Sequence, residues 1–400
     1  MRRALAVLVA LVALSSQVAL AAPSADGEDK YIVVLKDSAD SSAVADEHRS
    51  KYSARVDQVY KHALKGYAAI VPDSKLDALR ADDRVVSVSR DEKVTLDAQT
   101  LPTGIDRVDG ELSSTVSGNG SGTVDVDVAV IDTGIDLDHP DLNVVGGVNC
   151  STGRSFDDGH GHGTHVAGTI AAKDDANGVV GVAPGARLYA VRVLNNRGSG
   201  SFSSIICGVD WVTARAGTIE VANMSLGGSG TDPAGSDCST GDAFHDAVCE
   251  SVAAGVTHVV AAGNSSDDAK NHVPAAYDEV ITISALADFD GEPGGAGAPT
   301  CRADVDDTFA DFSNFGADID LIAPGVCILS TWKRGGYNTI SGTSMASPHA
   351  AGAAALYLST HPGTSPSSVK SALQAAGTLD WNNIDDPDST KEKLVNVAGF

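Results

Sequence analysis

Hydrophobic positions along the chain fall into two regions of different texture. In the first, residues 31–36 (Tyr-Ile-Val-Val-Leu-Lys) form a short apolar run of strand character, and a polar stretch of helical character follows through Ala63. Residues 66–71 and 85–88 read as two further strands, so this region predicts a small α+β unit. Residues 91–97 are polar and extended, as a linker would be. From Val124 onward short Val/Ile/Ala-rich runs recur at 126–132, 187–194, 219–226, 256–264, 280–286 and 319–324, each ending in Gly, Asn, Asp, Pro or Leu. Helical patterns lie between them at 162–173, 203–216 and 243–254, and an Ala-rich run follows at 350–358. Strands alternating with helices predict an α/β fold: a doubly wound, mostly parallel sheet with helices on both faces. Ligands of such sheets gather at the carboxyl ends of strands, where Asp132, Ser225 and Asn264 fall.

The N-terminus adds a targeting signal to this picture. Arg2 and Arg3 precede an apolar run at 4–14, and Ala19-Leu20-Ala21 has the small-x-small form of a signal-peptidase site, so residues 1–21 are predicted to direct secretion. No other stretch approaches the ~20 apolar residues of a membrane-spanning helix, which predicts a soluble extracellular protein. Export makes the six cysteines candidates for disulfides rather than metal thiolates, and no C-x-x-C occurs. Cys238 with Cys249 and Cys301 with Cys327 are the pairings favoured here, although six cysteines allow about 15 connectivities.

Charge sharpens the division. From Ala98 onward there are 14 Lys+Arg against 38 Asp+Glu, which carries −24 of the net −25. Such a field would repel phosphate and excludes nucleic acid as a partner of the acidic region. The carboxylates could hold hard cations or maintain solubility.

Candidate chemistry centres on Ser341-Gly-Thr-Ser-Met-Ala-Ser-Pro-His349, directly before the Ala-rich run. Ser344 would sit at a helix N-terminus, where Pro348 is tolerable and the backbone N–H can face a developing oxyanion. A serine there is also a common helix cap, and it needs a base to act as a nucleophile. Asp132 ends the buried-looking Val-Ala-Val-Ile-Asp run, and three histidines crowd into Asp158-Gly-His-Gly-His-Gly-Thr-His165. Zinc ligation by His160, His162 and His165 is one reading, weakened by the intervening glycines and the lack of a His-Glu-x-x-His arrangement. The other is that Asp132 orients an imidazole that takes the proton of Ser344, with the amide of Asn264 completing an oxyanion hole. A non-catalytic binding module on the same fold is the third reading. An esterase of the α/β-hydrolase type is disfavoured because Met-Ala, not x-Gly, follows Ser344.

The blocks Asp132-Thr-Gly, His162-Gly-Thr-His-Val-Ala-Gly, Ala262-Gly-Asn264 and Gly342-Thr-Ser-Met-Ala-Ser-Pro-His resemble the signature blocks of the subtilisin-like serine proteases, the subtilases. Their order Asp, His, Ser is the order already known for subtilisin itself. The resemblance implies a triad of Asp132, His162 and Ser344, with Asn264 as oxyanion donor and His160 and His165 structural. It further implies that residues 22–97 are an inhibitory propeptide and intramolecular partner, and that residues 98–400 are the catalytic domain. Release at that boundary would be autocatalytic.

The segments Gly198-Ser199-Gly200 and Ser225-Leu226-Gly227 are similar to those that pair substrate backbone in the family, and Ala262, Gly263 and His272 to residues around its S1 pocket. With no acidic residue evident near His272 or Val273, an apolar or aromatic P1 residue is expected. The segment 171–179 resembles a family calcium loop, which implies Ca²⁺ ligands from Gln99, Asp141 and Asp175 and from the backbone carbonyls of Lys173, Asn177 and Val179. The expected partners are protein or peptide substrates, and the expected state is a monomer.

Overall fold

The computed structural model describes residues 28–91, 99–233 and 238–400. The signal sequence expected at 1–21, nearly all of the 91–97 linker and the domain start at Ala98 lie outside the described residues. Contacts divide the chain into two compact units, the first ending at Thr95 and the second beginning at Leu96.

In the first unit, β1 (Glu28–Leu35) is followed by α1 (Ser41–Lys51), β2 (Arg55–Tyr60), β3 (Gly66–Pro72), α2 (Asp73–Arg80) and β4 (Val85–Arg90). The strands form one antiparallel sheet in the order β2-β3-β1-β4. Tyr31, Val33 and Leu35 alternate onto the face that packs with Val44, Leu76 and Leu79 of the helices. The expected helix through Ala63 is corrected: α1 stops at Lys51, Ser53 has a positive φ of 57°, and the chain returns as an edge strand. The mostly polar pattern of Arg-Val-Asp-Gln-Val-Tyr, partly exposed on both faces, gave no apolar run by which to recognise a strand.

The second unit opens with α3 (Thr103–Arg107), β5 (Asp127–Asp132), β6 (Val144–Asn149), α4 (His162–Ala171), β7 (Arg187–Arg192), α5 (Phe202–Thr213) and β8 (Val221–Met224). It continues through β9 (Gly228–Ser229), α6 (Ala243–Ala253), β10 (Thr257–Ala261), β11 (His272–Val273), β12 (Ile281–Ala287), β13 (Thr308–Phe309) and β14 (Leu321–Pro324). The hairpin β15 (Ile328–Trp332) and β16 (Gly336–Ile340), then α7 (Thr343–Thr360) and α8 (Pro366–Ala376), complete it. The main sheet runs β13-β12-β10-β8-β5-β7-β6, with β14 also on β12, and every pair except β12 with β13 is parallel. All six predicted strands and all four helical stretches of this region are present, with ends trimmed by one to three residues at most positions.

Period-2 alternation assigns the two faces. Val128 and Val130 of β5 join α4, α7 and α8 in one core, while Ala129 and Ile131 join α5 and α6 in the other. β5 is therefore buried throughout, and its last residue, Asp132, emerges at the carboxyl edge between two helical layers.

Candidate active site

Asp132 is held where β5 turns out of the sheet. Its Oδ1 accepts from Thr133 N–H at 2.7 Å, and the next turn needs Gly134, whose φ is +101° and whose position leaves 2.3 Å between a built Cβ and the Phe156 carbonyl. α4 then begins at His162. Its first N–H groups are satisfied by buried side chains outside the helix: Gly163 N–H donates to Thr133 Oγ1, and Thr164 N–H to Asp158 Oδ2. Asp158 also accepts from the Thr133 and Thr164 hydroxyls and from His160 and Gly161 N–H, between 2.6 and 2.9 Å.

This capping fixes His162 against Asp132, with Nδ1 at 2.8 and 2.9 Å from the two carboxylate oxygens. An ionised carboxylate can only accept, so Nδ1 carries the proton and Nε2 is the free nitrogen of the neutral ring. Burial of the ring would lower its pKa. The charge of Asp132, its hydrogen bond and the charge of Asp158 outweigh that, and the His162 pKa is raised above the ordinary 6.5.

Ser344 lies in the first turn of α7, and its hydroxyl donates to the Ser225 carbonyl at 3.3 Å. The Ser225 side chain turns the other way, into a buried network. Its Oγ donates to the Ser344 carbonyl at 2.8 Å, Asn223 Nδ2 donates to it, and it meets Ser347 Oγ at 2.9 Å. The end of β8 is thereby tied to the start of α7.

Asn264 stands just past β10. Thr343 donates to its Oδ1 through both N–H (2.8 Å) and Oγ1 (3.0 Å), which leaves the Nδ2 end of the amide as the donor available to a ligand. Buried Asn314 clamps the same turn: it accepts from Ser265 and Asp267 N–H and donates to Ala262 O, and its own N–H donates to Gly263 O.

Two adjoining cavities open between these groups. The larger, about 790 Å³, is lined by His160, His162, Gly198, Ser199, Gly200, Ser225, Leu226 and Gly227, with apolar walls from Leu194, Phe202 and Ile205. The smaller, about 320 Å³, shares Leu226 and Gly227 and is lined by Ala262, Gly263, Asn264, His272, Val273 and Ser344. Its wall is braced by the antiparallel pair β9 and β11, and His272 Nε2 contacts Asp267 Oδ2 at 3.1 Å. Phe202 stacks on Phe244 at 5.1 Å and remains 43% exposed.

The three histidines do not converge. His165 is buried, with Nε2 donating to the Ile328 and Asn338 carbonyls, and burial pushes its pKa down to about 3. His160 lines the cleft beside Gly198. Among the described residues the groups of three or more close metal-ligating side chains are carboxylate clusters.

The 173–179 loop has a different character. The carbonyls of Lys173, Asn177 and Val179 converge on the Gln99 amide at 2.6, 3.3 and 3.1 Å from Nε2. Gln99 Oε1 and Asp141 Oδ1 are buried without hydrogen-bond partners. A Cβ at Gly178 would fall 2.3 Å from Asp141 Oδ2, so the cradle requires glycine. Asp175 is exposed, its Oδ1 accepting from Asn177 N–H. Converging carbonyls, an orphaned carboxylate oxygen and an amide able to turn its oxygen inward suit a hard cation.

Cys238–Cys249 and Cys301–Cys327 are bonded as favoured, leaving Cys150–Cys207 as the third pair. Sequence reasoning missed Thr133, Thr343, Asn314 and Phe202, and it left Asp158 without a role. Asp158 was open to notice as a carboxylate four residues before a Gly-preceded helix start. Phe202 had only its place after a Gly/Ser-rich segment, and Asn314 had no local signal.

Comparison with known proteins agrees with this geometry. The Subtilase family pattern (Peptidase_S8) matches residues 123–396, and that of Peptidase inhibitor I9 matches residues 30–97. The chain is 42% identical over 304 residues to Subtilisin DY of Bacillus licheniformis, covering 75% of this chain and 98% of that one. It is 38% identical over 384 residues to Subtilisin NAT of Bacillus subtilis subsp. natto, covering 94% and 92%. A crystal structure of a cold adapted subtilisin-like serine proteinase aligns with a TM-score of 0.60 and 36% identity, over 74% of this chain and 98% of that one. A buried carboxylate gripping a helix-start histidine, and a serine in the first turn of a second helix, thus occur in a chain that belongs to the subtilase family, a serine endopeptidase with an I9 inhibitor propeptide.

Proposed function

We propose that Ser344 is the acylated nucleophile, His162 the general base and then acid, and Asp132 the group that fixes its tautomer and stabilises the imidazolium. The observation that carries this is the Asp132–His162 pair opening onto the cleft that Ser344 and Asn264 reach through Leu226 and Gly227. Ser344 Oγ attacks the scissile carbonyl and gives its proton to His162 Nε2. The resulting oxyanion lies between the Ser344 N–H at the start of α7 and Asn264 Nδ2, whose orientation Thr343 sets. His162 returns the proton to the leaving amine, and water repeats the sequence on the acyl-enzyme. A phosphonylating reagent should add once, on Ser344, by intact mass. No adduct on that residue would end the reading.

Substrate is held extended between 198–200 and 225–227, whose glycines admit close backbone approach. Ala262, Gly263 and His272 bound the P1 side chain. Because the His272 ring is met by Asp267, and the pocket lining carries no carboxylate, we assign a preference for apolar or aromatic P1. A second apolar preference, further from the scissile bond, follows from Leu194, Phe202 and Ile205. A peptide-library profile dominated by basic P1 residues would overturn the first, and one with no apolar preference at any more distant position the second.

The boundary between residues 97 and 98 is the proposed processing site, cut by the enzyme itself, so Ser344→Ala should accumulate uncleaved. Gln99, Asp141 and Asp175 with the carbonyls of Lys173, Asn177 and Val179 are the proposed calcium ligands. A bound calcium would neutralise the Asp141 charge and tie the new N-terminal segment to the loop. The signal-like pattern of Arg2, Arg3 and the apolar run at 4–14 supports secretion, and the enzyme is expected to act as a monomer. One relative, from a Thermus strain, is described as an extracellular serine proteinase, and no helix among the described residues is long and apolar enough to cross a membrane.

A further inference from the structure

Far along the chain from the triad blocks, the segment from Trp381 to Leu394 is pinned to the second unit at both ends. Asn382 N–H donates to the Asp307 carbonyl at 2.7 Å, while Ile322 N–H donates to Lys393 O and Val395 N–H to Ile322 O. Trp381 and Leu394 are buried with Leu286, Phe309 and Ile322. Between the pins, Asp386, Asp388 and Glu392 each place a carboxylate oxygen within 4.8 Å of the other two.

Clustering alone would mean little, because exposed acidic groups are commonplace. Here Asp386 and Glu392 are each only 6% exposed, and both oxygens of Glu392 and Oδ2 of Asp386 have no hydrogen-bond donor. The lysines flanking Glu392 are engaged elsewhere: Lys391 lies over the Trp381 ring at 5.4 Å, and Lys393 donates to the Ala375 carbonyl. A buried carboxylate without donors must hold a proton or meet a cation.

Geometry admits the cation. Oxygens bound to one Ca²⁺ at 2.3–2.6 Å can stand no more than about 5 Å apart, and all three carboxylates meet that limit. The exposed side of Asp388 leaves room for water to complete six to eight ligands, the flexible coordination that favours Ca²⁺ over Mg²⁺. The other acidic cluster, Asp288, Asp290 and Asp306, is a useful contrast. There the cation is a side chain: Arg107 pairs with Asp288 at 3.2 Å, and the N–H groups of Phe289 and Gly297 donate to Asp306, while Asp288 Oδ2 makes no hydrogen bond.

We propose that Asp386, Asp388 and Glu392 form a calcium site that clasps the C-terminal loop onto the edge of the sheet at Ile322. It is separate from the Gln99 loop and does not depend on it. The test uses the enzyme inactivated with a phosphonylating reagent to prevent self-digestion, with calcium chloride as the probe. Metal analysis after gel filtration should give one calcium ion fewer per chain for Glu392→Gln than for wild type. Thermal melts should cross over: in calcium Glu392→Gln melts roughly 5 °C below wild type, and in EDTA it melts at the same temperature or higher, because an uncompensated charge has gone. Asp388→Asn, at an exposed position that folding does not require, should weaken calcium binding about 10-fold. Equal stoichiometry in wild type and Glu392→Gln, or a melting deficit of the same size with calcium and with EDTA, would overturn the proposal.

Discussion

The start of α4 and the 173–179 loop each bury a carboxylate, and they treat it in opposite ways. Around α4, Asp158 takes donors on both oxygens and Asp132 is closed by His162 and Thr133, so the protein alone completes the network. At the loop, Asp141 Oδ1 and Gln99 Oε1 are buried without donors, and burial pushes the Asp141 carboxyl up to about 6. A group that must transfer protons at a fixed distance cannot wait for an ion to position it. A loop that only needs to be held shut can.

The largest expected effect tests the self-sufficient side. Ser344→Ala should lower kcat by about 10⁶-fold, and Asn264→Ala by ~10²–10³-fold with KM little changed, both magnitudes being known from subtilisin rather than from this chain. Removing Asp158 comes next. Asp158→Ala strands the N–H groups of His160, Gly161 and Thr164, and should cost about 2–4 kcal/mol in denaturant unfolding, equally with and without calcium. A loss that calcium restored would break the contrast between the two regions.

Smaller effects sharpen it from the other side. EDTA should lower the melting temperature, by roughly 2.7 kcal/mol of lost linkage for an ion held at 100 times its Kd, while leaving the acid limb of the pH–rate profile in place. Asp141→Ala should remove the share of that calcium dependence that the Gln99 loop supplies, and leave the share of the C-terminal site. The acid limb itself should titrate above 6.5, because Asp132 and Asp158 raise the His162 pKa and the base must be neutral to work. The sign for stability is the reverse: His162 adds stability that is fully present below its unfolded pKa and is lost as pH rises through the higher folded value.

Much of this was legible in the chain because the relevant signals are local. The α/β layering follows from apolar runs such as 126–132, which are short, uninterrupted and ended by turn chemistry, and Asp132 stands out as a charge at the close of one. The edge strand at Arg55–Tyr60 was missed for the opposite reason: a strand with neither face fully buried carries no contrast between its positions. Asn314 was illegible for a third reason. Its effect is exerted on the turn at 262–267, and nothing within a few residues of it announces a contact about fifty positions away. The Asp386–Glu392 cluster sat in plain view as an acidic stretch, but its burial is a tertiary property that composition hides.

The Asn314 clamp has a consequence in time. During synthesis Asp132, His162 and Asn264 emerge first, yet the turn that presents Asn264 is held by Asn314 and by Thr343, the residue before Ser344. A chain that ends before Asn314 therefore lacks both the clamp on the Asn264 turn and the serine proposed to act with it. On the roles proposed above, the cell that makes this protease meets it as a competent hydrolase only after Ser344 has been added, and a chain that stalls sooner has no nucleophile to misuse.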